Sequence, residues 1–259
     1  MSHPAIDRSV LLIGGTDAGK SNFLFRVWIA IDEGRGLLAK NGLPKEFEYL
    51  RAGAEELLRG KFAGHTSKEV QERVVVPLRS TRPDGPTGTV VVPDMPGEQT
   101  LTICRRREWS ADWEDHISSG CACLLFVRAG SDEVVAPLDW AACFALYGAP
   151  AVAPPTDAEE VNPATVPPQP TQVVLVEWLQ FLRRAFTAVA GGAFRPRVGI
   201  VVSAWDAVPT DQQEAGPASY IRDNFPMLNQ FLEAHADRFD FRVFGVSVVA
   251  GAYSAPLEH

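Results

Sequence analysis

A glycine-rich segment, Gly14-Gly-Thr-Asp-Ala-Gly-Lys-Ser21, most constrains what this chain can fold into. It matches the pattern G-x-x-x-x-G-K-[ST] at every fixed position. An apolar run over residues 10–13 precedes it, and apolar side chains at helical spacing follow it over Lys20–Asp32. The segment therefore connects a predicted buried strand to a predicted helix, which is the context of a phosphate-binding loop. An ordinary glycine turn is the alternative interpretation.

The positions of this segment, called the phosphate loop (residues 14–21) below, have different chemical tasks. Glycines allow backbone N–H groups to approach phosphate oxygens, and the start of the helix adds partial positive charge. Lys20 is expected to reach the β- and γ-phosphates and is a predicted catalytic residue, and Ser21 is expected to bind Mg²⁺. The predicted nucleotide-binding residues here are Gly14, Gly15, Thr16, Asp17, Ala18, Gly19, Lys20, Ser21 and Asn22.

The rest of the chain alternates between predicted strands and helices. Strands are predicted over residues 73–79, 89–93, 121–128, 198–203 and 241–249, and helices over 46–58, 138–146, 174–189 and 217–236 with a break at Pro226. The first two of these strands form a hairpin around a turn-rich segment. This order predicts an α/β P-loop NTPase three-layer sandwich, with a mostly parallel sheet and one antiparallel edge strand.

A single domain is expected over residues 1–256. It contains an insert over residues 33–70 and a proline-rich excursion over 149–170 that we expect to be flexible. The last three residues, 257–259, have the character of a tag remnant and are set aside.

Composition narrows the classes of function. The net charge of -8 and the pI of about 5.2 argue against a protein that grips nucleic acid or anionic lipid over a broad surface. The longest apolar run is too short to cross a membrane, and the N-terminus lacks the pattern of a secretory signal, so a cytoplasmic location is expected. The four cysteines show no zinc-site spacing and are expected to be reduced structural thiols.

A second candidate segment, Asp94-Met-Pro-Gly97, directly follows the second strand of the predicted hairpin. An aspartate at the end of a strand beside the phosphate loop is placed to hold the magnesium shell through water. Gly97, three residues later, can offer its N–H to the γ-phosphate. Asp94 is therefore a predicted metal-site residue and Gly97 a predicted nucleotide contact.

The combination of these two segments resembles the Ras-like class of P-loop GTPases. The long inserts and the tryptophan-containing helix are similar to bacterial double-GTPase families associated with conflict systems. The resemblance extends from Val10 to about Ala252. It implies a threonine that binds magnesium and senses the γ-phosphate, for which Thr66 is the best positional match and Ser67 the alternative. A helix N-cap is an equally plausible role for Thr66.

The resemblance also implies a base-reading segment of the form N-K-x-D. The best match is Ser203-Ala-Trp-Asp206, a degraded form that follows a predicted buried strand. Asp206 is expected to accept hydrogen bonds from guanine N1 and N2, and Ser203 to replace part of the asparagine's bonding. Ala204 cannot supply the aliphatic stem that normally covers the base. Ser247 matches the last base-contacting loop, with a plain strand-terminal serine as the alternative, so GTP/GDP and Mg²⁺ are the expected cofactors.

Hydrolysis is expected to be slow. In Ras-like enzymes a glutamine usually follows the glycine of the D-x-x-G segment and positions the attacking water. This chain has Glu98 there and Gln99 next, both predicted catalytic residues. The charge of Glu98 would repel the γ-phosphate unless its pKa were raised. The arginines at 105–107 and Arg128 are candidates for an arginine finger, with a solvated basic surface as the alternative.

These features predict a guanine-nucleotide switch with slow, Mg²⁺-dependent GTP hydrolysis. GTP would order Thr66 and the loop at residues 94–99, and those loops would bind or release a partner protein. Dimerisation through the same loops is left open. The alternatives are an interaction module that nucleotide stabilises with little or no hydrolysis, and a P-loop ATPase.

Overall fold

The computed structural model describes residues 8–15, 17–62, 74–92, 122–131, 170–190 and 195–248. Within these ranges the strands form one seven-stranded sheet in the order β2-β3-β4-β1-β5-β6-β7. The strands are β1 (Arg8–Gly14), β2 (Leu38–Lys40), β3 (Val74–Ser80), β4 (Thr87–Val92), β5 (Ala122–Arg128), β6 (Arg197–Ser203) and β7 (Asp240–Val246).

The predicted α/β fold with a mostly parallel sheet is confirmed. Strands β4, β1, β5, β6 and β7 are paired in parallel, whereas β3 is antiparallel to both of its neighbours among the described strands. The hairpin of β3 and β4 is the one that the turn-rich segment predicted. The structure adds the three-residue strand β2, which covers the outer side of β3 and makes β3 the second strand from the edge.

The helices that the structure describes are α1 (Lys20–Asp32), α2 (Phe47–Leu58), α3 (Thr171–Ala190), α4 (Thr210–Ala215), α5 (Pro217–Asn224) and α6 (Pro226–Ala234). A proline begins both α5 and α6, where its missing N–H costs no helical hydrogen bond. The predicted break at Pro226 is thus the start of a new helix. The helix predicted over residues 138–146 lies outside the described residues.

Strand β1 is buried on both faces of the sheet, which is why its sequence is a continuous apolar run. Leu11 and Ile13 pack into a cluster with side chains of α3, including Trp178. Leu12 points to the other face and packs with Ala18 and other residues. A further cluster joins α1 and α2 to β3. Helices therefore cover both faces, as a parallel sheet requires.

The parallel strands bring their carboxyl ends to the same edge of the sheet. Gly14 at the end of β1 lies beside Phe126 of β5, Arg128 lies beside Ser203 of β6, and Ser203 lies beside Val246 of β7. The loops that follow β1, β5, β6 and β7 are consequently neighbours, and ligands of open α/β sheets bind at this edge. No helix within the described ranges has the length and apolar character needed to span a bilayer.

Candidate functional site

The phosphate loop connects the end of β1 to the start of α1, as the sequence predicts. Gly14 is required by close packing, since a Cβ at this position would lie 2.9 Å from both the Cβ and the carbonyl oxygen of Phe126. Gly19 has φ +86° and Asp17 has φ +59°, so both of these residues adopt the left-handed conformation. Alternation of left- and right-handed residues curves a backbone into a nest of N–H groups that binds anions.

The ammonium group of Lys20 lies inside the loop. Its Nζ donates hydrogen bonds to the carbonyl oxygens of Gly14 at 2.8 Å and Gly15 at 2.7 Å. Burial lowers the pKa of Lys20 to about 8, because removal from water disfavours the charged form. Among the described residues, this buried cation is held by carbonyl dipoles, and an entering phosphate would supply the negative charge that it needs. The residues of this loop therefore fit the phosphate groups that the sequence predicted for it.

Ser21 and Asn22 form the first turn of α1, directly after Lys20, and both are partly buried. The sequence predicts Ser21 as a magnesium ligand, and this role remains a prediction. Six of the predicted site residues lie outside the described residues and remain predictions. They are Thr16, Thr66, Asp94, Gly97, Glu98 and Gln99. Among the described residues, His, Cys, Asp and Glu form no group of three or more that could hold a metal ion.

Ser203 connects the base-reading segment to the phosphate loop. It is buried at the end of β6, and its hydroxyl donates a hydrogen bond to the carbonyl of Ala18 at 2.9 Å. The same Oγ lies 3.5 Å from the carbonyl of Val127. A Cβ at Gly19 would lie 3.2 Å from the Cβ and Oγ of Ser203, so the loop and β6 are in close contact. Contact between Ser203 and a base remains a prediction.

The remainder of the base-reading segment turns sharply after β6. Ala204 has φ +53°, and a short 3₁₀ helix, Trp205–Ala207, follows with Asp206 exposed. Ser247 is exposed directly after β7. Because β6 and β7 end side by side, Asp206 and Ser247 lie at the same edge of the sheet as the phosphate loop. The structure therefore brings together the described members of the predicted phosphate and base sites.

Trp205 anchors this turn, and the sequence did not predict its role. Its ring lies edge-on to the ring of Tyr220, with 5.7 Å between centroids. A Cβ at Gly245 would lie 2.5 Å from the Trp205 ring, so the glycine in β7 makes room for the indole. An aromatic residue inside the base-reading segment and a glycine inside a strand were the available signals.

Arg128, whose role the sequence left open, contacts the phosphate loop. It ends β5 and forms an ion pair with the carboxylate of Asp17. Its Nη1 also lies 3.5 Å from the carbonyl oxygen of Asp17. Both side chains are a little under half exposed. His235 follows α6, and its Nδ1 lies 2.8 Å from the carbonyl oxygen of Phe231 in that helix.

Comparisons with known proteins place this geometry in context. The chain matches the model of the Double-GTPase 1 family over residues 11–258. It is similar to the signal recognition particle receptor SRb-GTP/SRX complex from Chaetomium thermophilum, at 18% identity over 95% of this chain and 93% of that chain, with a TM-score of 0.43. It is also similar to the S. cerevisiae Ski7 GTPase-like domain bound to GDP and inorganic phosphate, at 11% identity over 97% of this chain and 47% of that chain, with a TM-score of 0.46. No curated protein sequence matches the chain.

Proposed function

Because this chain belongs to the Double-GTPase 1 family and is therefore a GTP-binding protein, we propose that it is a nucleotide switch with slow, Mg²⁺-dependent GTP hydrolysis that controls a partner protein. The observation that carries the proposal is the juxtaposition of two predicted subsites at one edge of the sheet. The phosphate loop, with Lys20 inside it, is joined by the Ser203 hydrogen bond to the segment that carries the exposed Asp206.

The phosphate subsite acts through charge and backbone geometry. The left-handed residues of the loop shape a concave backbone, and α1 begins at Lys20 with its positive dipole end towards the loop. Lys20 exchanges its hydrogen bonds with the loop carbonyls for bonds to phosphate oxygens, which are stronger because both partners are charged. Binding of phosphate thereby raises the pKa of Lys20 again, because a nearby negative charge favours the charged form.

The base subsite selects guanine through Asp206. A carboxylate accepts two hydrogen bonds, and guanine presents two donors, N1–H and the N2 amino group, that adenine does not present in this arrangement. The packing of Trp205 against Tyr220 fixes the short helix on which Asp206 lies. Ser247 is the neighbouring candidate contact. Ala204 leaves one face of the base without an aliphatic cover, so we propose a modest rather than a very high affinity.

The switch itself depends on Mg²⁺, with Ser21 and Thr66 as its proposed ligands and Asp94 as the proposed residue that holds its shell through water. The metal neutralises charge on the β- and γ-phosphates when it is bound. Thr66 and Gly97 are proposed to sense the γ-phosphate. The two loops that carry them are ordered while the γ-phosphate is bound and are released when it is lost. Glu98 and Gln99 are the proposed water-positioning residues, and the charge of Glu98 makes hydrolysis slow. These loops are the proposed surface for the partner protein.

A second function, an interaction module that GTP stabilises without hydrolysis, is favoured by two sequence observations. Glu98 stands where a glutamine is usual in Ras-like enzymes, and Ala204 stands where a lysine is usual. Single-turnover hydrolysis of GTP with Mg²⁺ separates the two functions. Release of phosphate within minutes to hours supports the switch, whereas GTP that stays intact while it remains bound supports the module.

Calorimetric titration with GTP, GDP and ATP in Mg²⁺ tests the proposal on the wild-type protein and two variants. We expect binding of GTP and GDP, a large loss of affinity in Lys20→Ala, and a loss confined to guanine nucleotides in Asp206→Ala. Lys61→Ala, an exposed lysine beyond α2, serves as the control for loss of a positive charge. Tight binding of ATP that survives Asp206→Ala would contradict the guanine assignment.

A further inference from the structure

An acidic residue in the phosphate loop poses an electrostatic problem. Asp17 lies between Gly15 and Gly19 of the loop, three residues before Lys20. A carboxylate at this place carries the same sign of charge as the phosphates that the loop is proposed to bind. It would cancel the attraction of Lys20 for these phosphates unless another positive charge compensated it.

Arg128 supplies that positive charge from a different strand. Gly14 of β1 lies beside Phe126 of β5, so the end of β5 continues two residues further alongside the loop and places Arg128 there. The guanidinium forms an ion pair with the Asp17 carboxylate. With Arg128 present, the charges of Lys20, Asp17 and Arg128 sum to one positive charge, and without it they sum to zero.

The same contact addresses the conformation of Asp17. A residue with a side chain adopts φ +59° at a cost, and aspartate accepts this conformation more readily than most residues do. Arg128 contacts both the side chain and the backbone of Asp17. Its Nη1 pairs with the carboxylate and also lies 3.5 Å from the backbone carbonyl oxygen. Two contacts to one residue hold its backbone orientation as well as its side chain.

We propose that Arg128 is a positioning residue of the nucleotide site, which acts through Asp17 to hold the phosphate loop in its binding conformation and to cancel the charge of its carboxylate. The proposal rests on the proposed function. It assigns to Arg128 a role in binding rather than that of an arginine finger on the reacting phosphate. It also makes Asp17 and Arg128 a dependent pair, in which each residue matters because of the other.

Because of this dependence, Arg128→Ala and Asp17→Gly are expected to change GTP affinity in opposite directions. Arg128→Ala weakens GTP binding by about tenfold, because the carboxylate is left uncompensated and the left-handed residue loses its support. Arg128→Lys keeps the positive charge but not the planar guanidinium, so its loss of affinity is smaller than that of Arg128→Ala but is not zero. Asp17→Gly tightens binding several-fold, because glycine accepts the left-handed conformation and carries no charge. In the Asp17→Gly background, Arg128→Ala changes the affinity less than about twofold.

The test is calorimetric titration of the wild type and these four variants with GTP and Mg²⁺ at two salt concentrations, together with thermal unfolding without nucleotide. Arg51→Ala is the matched control, since Arg51 forms an exposed ion pair with Glu48 on α2, outside the loop, and its loss leaves GTP affinity unchanged. The proposal is supported if Arg128→Ala weakens GTP binding and if this difference from the wild type becomes smaller at higher salt. The same substitution should make almost no difference in the Asp17→Gly background.

Three results would overturn it. An equal loss in both backgrounds means that Arg128 contacts the nucleotide without Asp17. Affinity that stays at the wild-type value in Arg128→Ala means that the ion pair has no role in binding. A loss that accompanies a large drop in the melting temperature of the nucleotide-free protein, with no dependence on salt, means that Arg128 stabilises the fold alone. If the wild type itself binds no GTP, the proposed function fails first.

Discussion

The buried hydroxyl of Ser203 donates a hydrogen bond to the carbonyl of Ala18 in the phosphate loop, across 185 positions of sequence. The bond connects the end of β6, where the base-reading segment begins, to the loop that precedes α1. This hydrogen bond therefore connects the phosphate and base halves of the proposed nucleotide site before any ligand binds. Ser203 acts on the phosphate half from a position that the sequence assigned to the base half.

Ser203→Ala is expected to lower the free energy of unfolding by about 1–2 kcal/mol, because a buried carbonyl loses its donor. It should also weaken GTP and inosine triphosphate binding to the same extent, since the loop contacts phosphates and not the base. Chemical denaturation and calorimetry measure the two effects. Ser219→Ala, which removes an exposed hydroxyl bonded to Asp223, is the control and should change stability by less than about 0.5 kcal/mol. A loss confined to GTP would instead indicate that Ser203 contacts the N2 amino group, which is the group that inosine lacks.

Nucleotide affinity is expected to fall as the pH rises above about 8. Burial lowers the pKa of Lys20 to about 8 in the nucleotide-free protein, and bound phosphate raises it again. Above this pH the free protein has lost the proton that the complex keeps, so binding takes up a proton and weakens with each further rise. Titrations in buffers of different ionisation enthalpy, over about pH 7 to 8.5, measure this uptake. Affinity that is independent of pH over this range would contradict the expectation.

The same lowered pKa affects the stability of the nucleotide-free protein. The unfolded chain keeps the ordinary lysine pKa of 10.5, so between about 8 and 10.5 it binds more protons than the folded chain. Lys20 therefore makes the folded state more stable, relative to the unfolded state, as the pH rises through this window. Denaturation of the wild type and Lys20→Met at several pH values measures the effect. The rise in unfolding free energy that Lys20 causes between about pH 8 and 10.5 should be present in the wild type and absent in the variant.

Gly14 and Gly15 are neighbours that should respond differently to alanine. A methyl group at Gly14 would overlap backbone and Cβ atoms of Phe126, so Gly14→Ala should cost about 1–3 kcal/mol of unfolding free energy. At Gly15 no atom of the described residues would lie within 4 Å of an added methyl group, and φ is not positive. Gly15→Ala should therefore stay within about 0.5 kcal/mol of the wild type. Denaturation without nucleotide measures both, and equal losses would show that space at Phe126 is not the cause.

Asp206→Asn should change the preferred base from guanine to xanthine. Xanthine has a carbonyl oxygen where guanine has the N2 amino group, and an amide side chain can donate to that oxygen whereas a carboxylate cannot. Competition between GTP and xanthosine triphosphate on the wild type and the variant measures the change. Asp211→Asn, an exposed aspartate on α4, is the control. Unchanged preference in Asp206→Asn would remove Asp206 from the base site.

Much of the fold could be predicted from local patterns. The run at residues 10–13, the phosphate loop and the helical spacing after it predicted β1, the loop and α1, and α1 begins and ends where the spacing does. The hairpin of β3 and β4 followed from its turn residues. Strand β2 could not be predicted, because three residues are too few to show a period and only its antiparallel pairing with β3 defines it.

The sequence by itself determined the phosphate loop, since Lys20 donates to the carbonyl oxygens of Gly14 and Gly15, only a few positions away. Tertiary structure alone decided what surrounds that loop. Arg128 and Asp17 are 111 positions apart, and the indole of Trp205 fills the space left by Gly245 on another strand. Such pairs arise where parallel strands end side by side, and periodicity along one strand does not reveal which side chain its neighbour presents. The order of the strands, and so the partners of Asp17 and Ala18, follows from burial of the whole sheet.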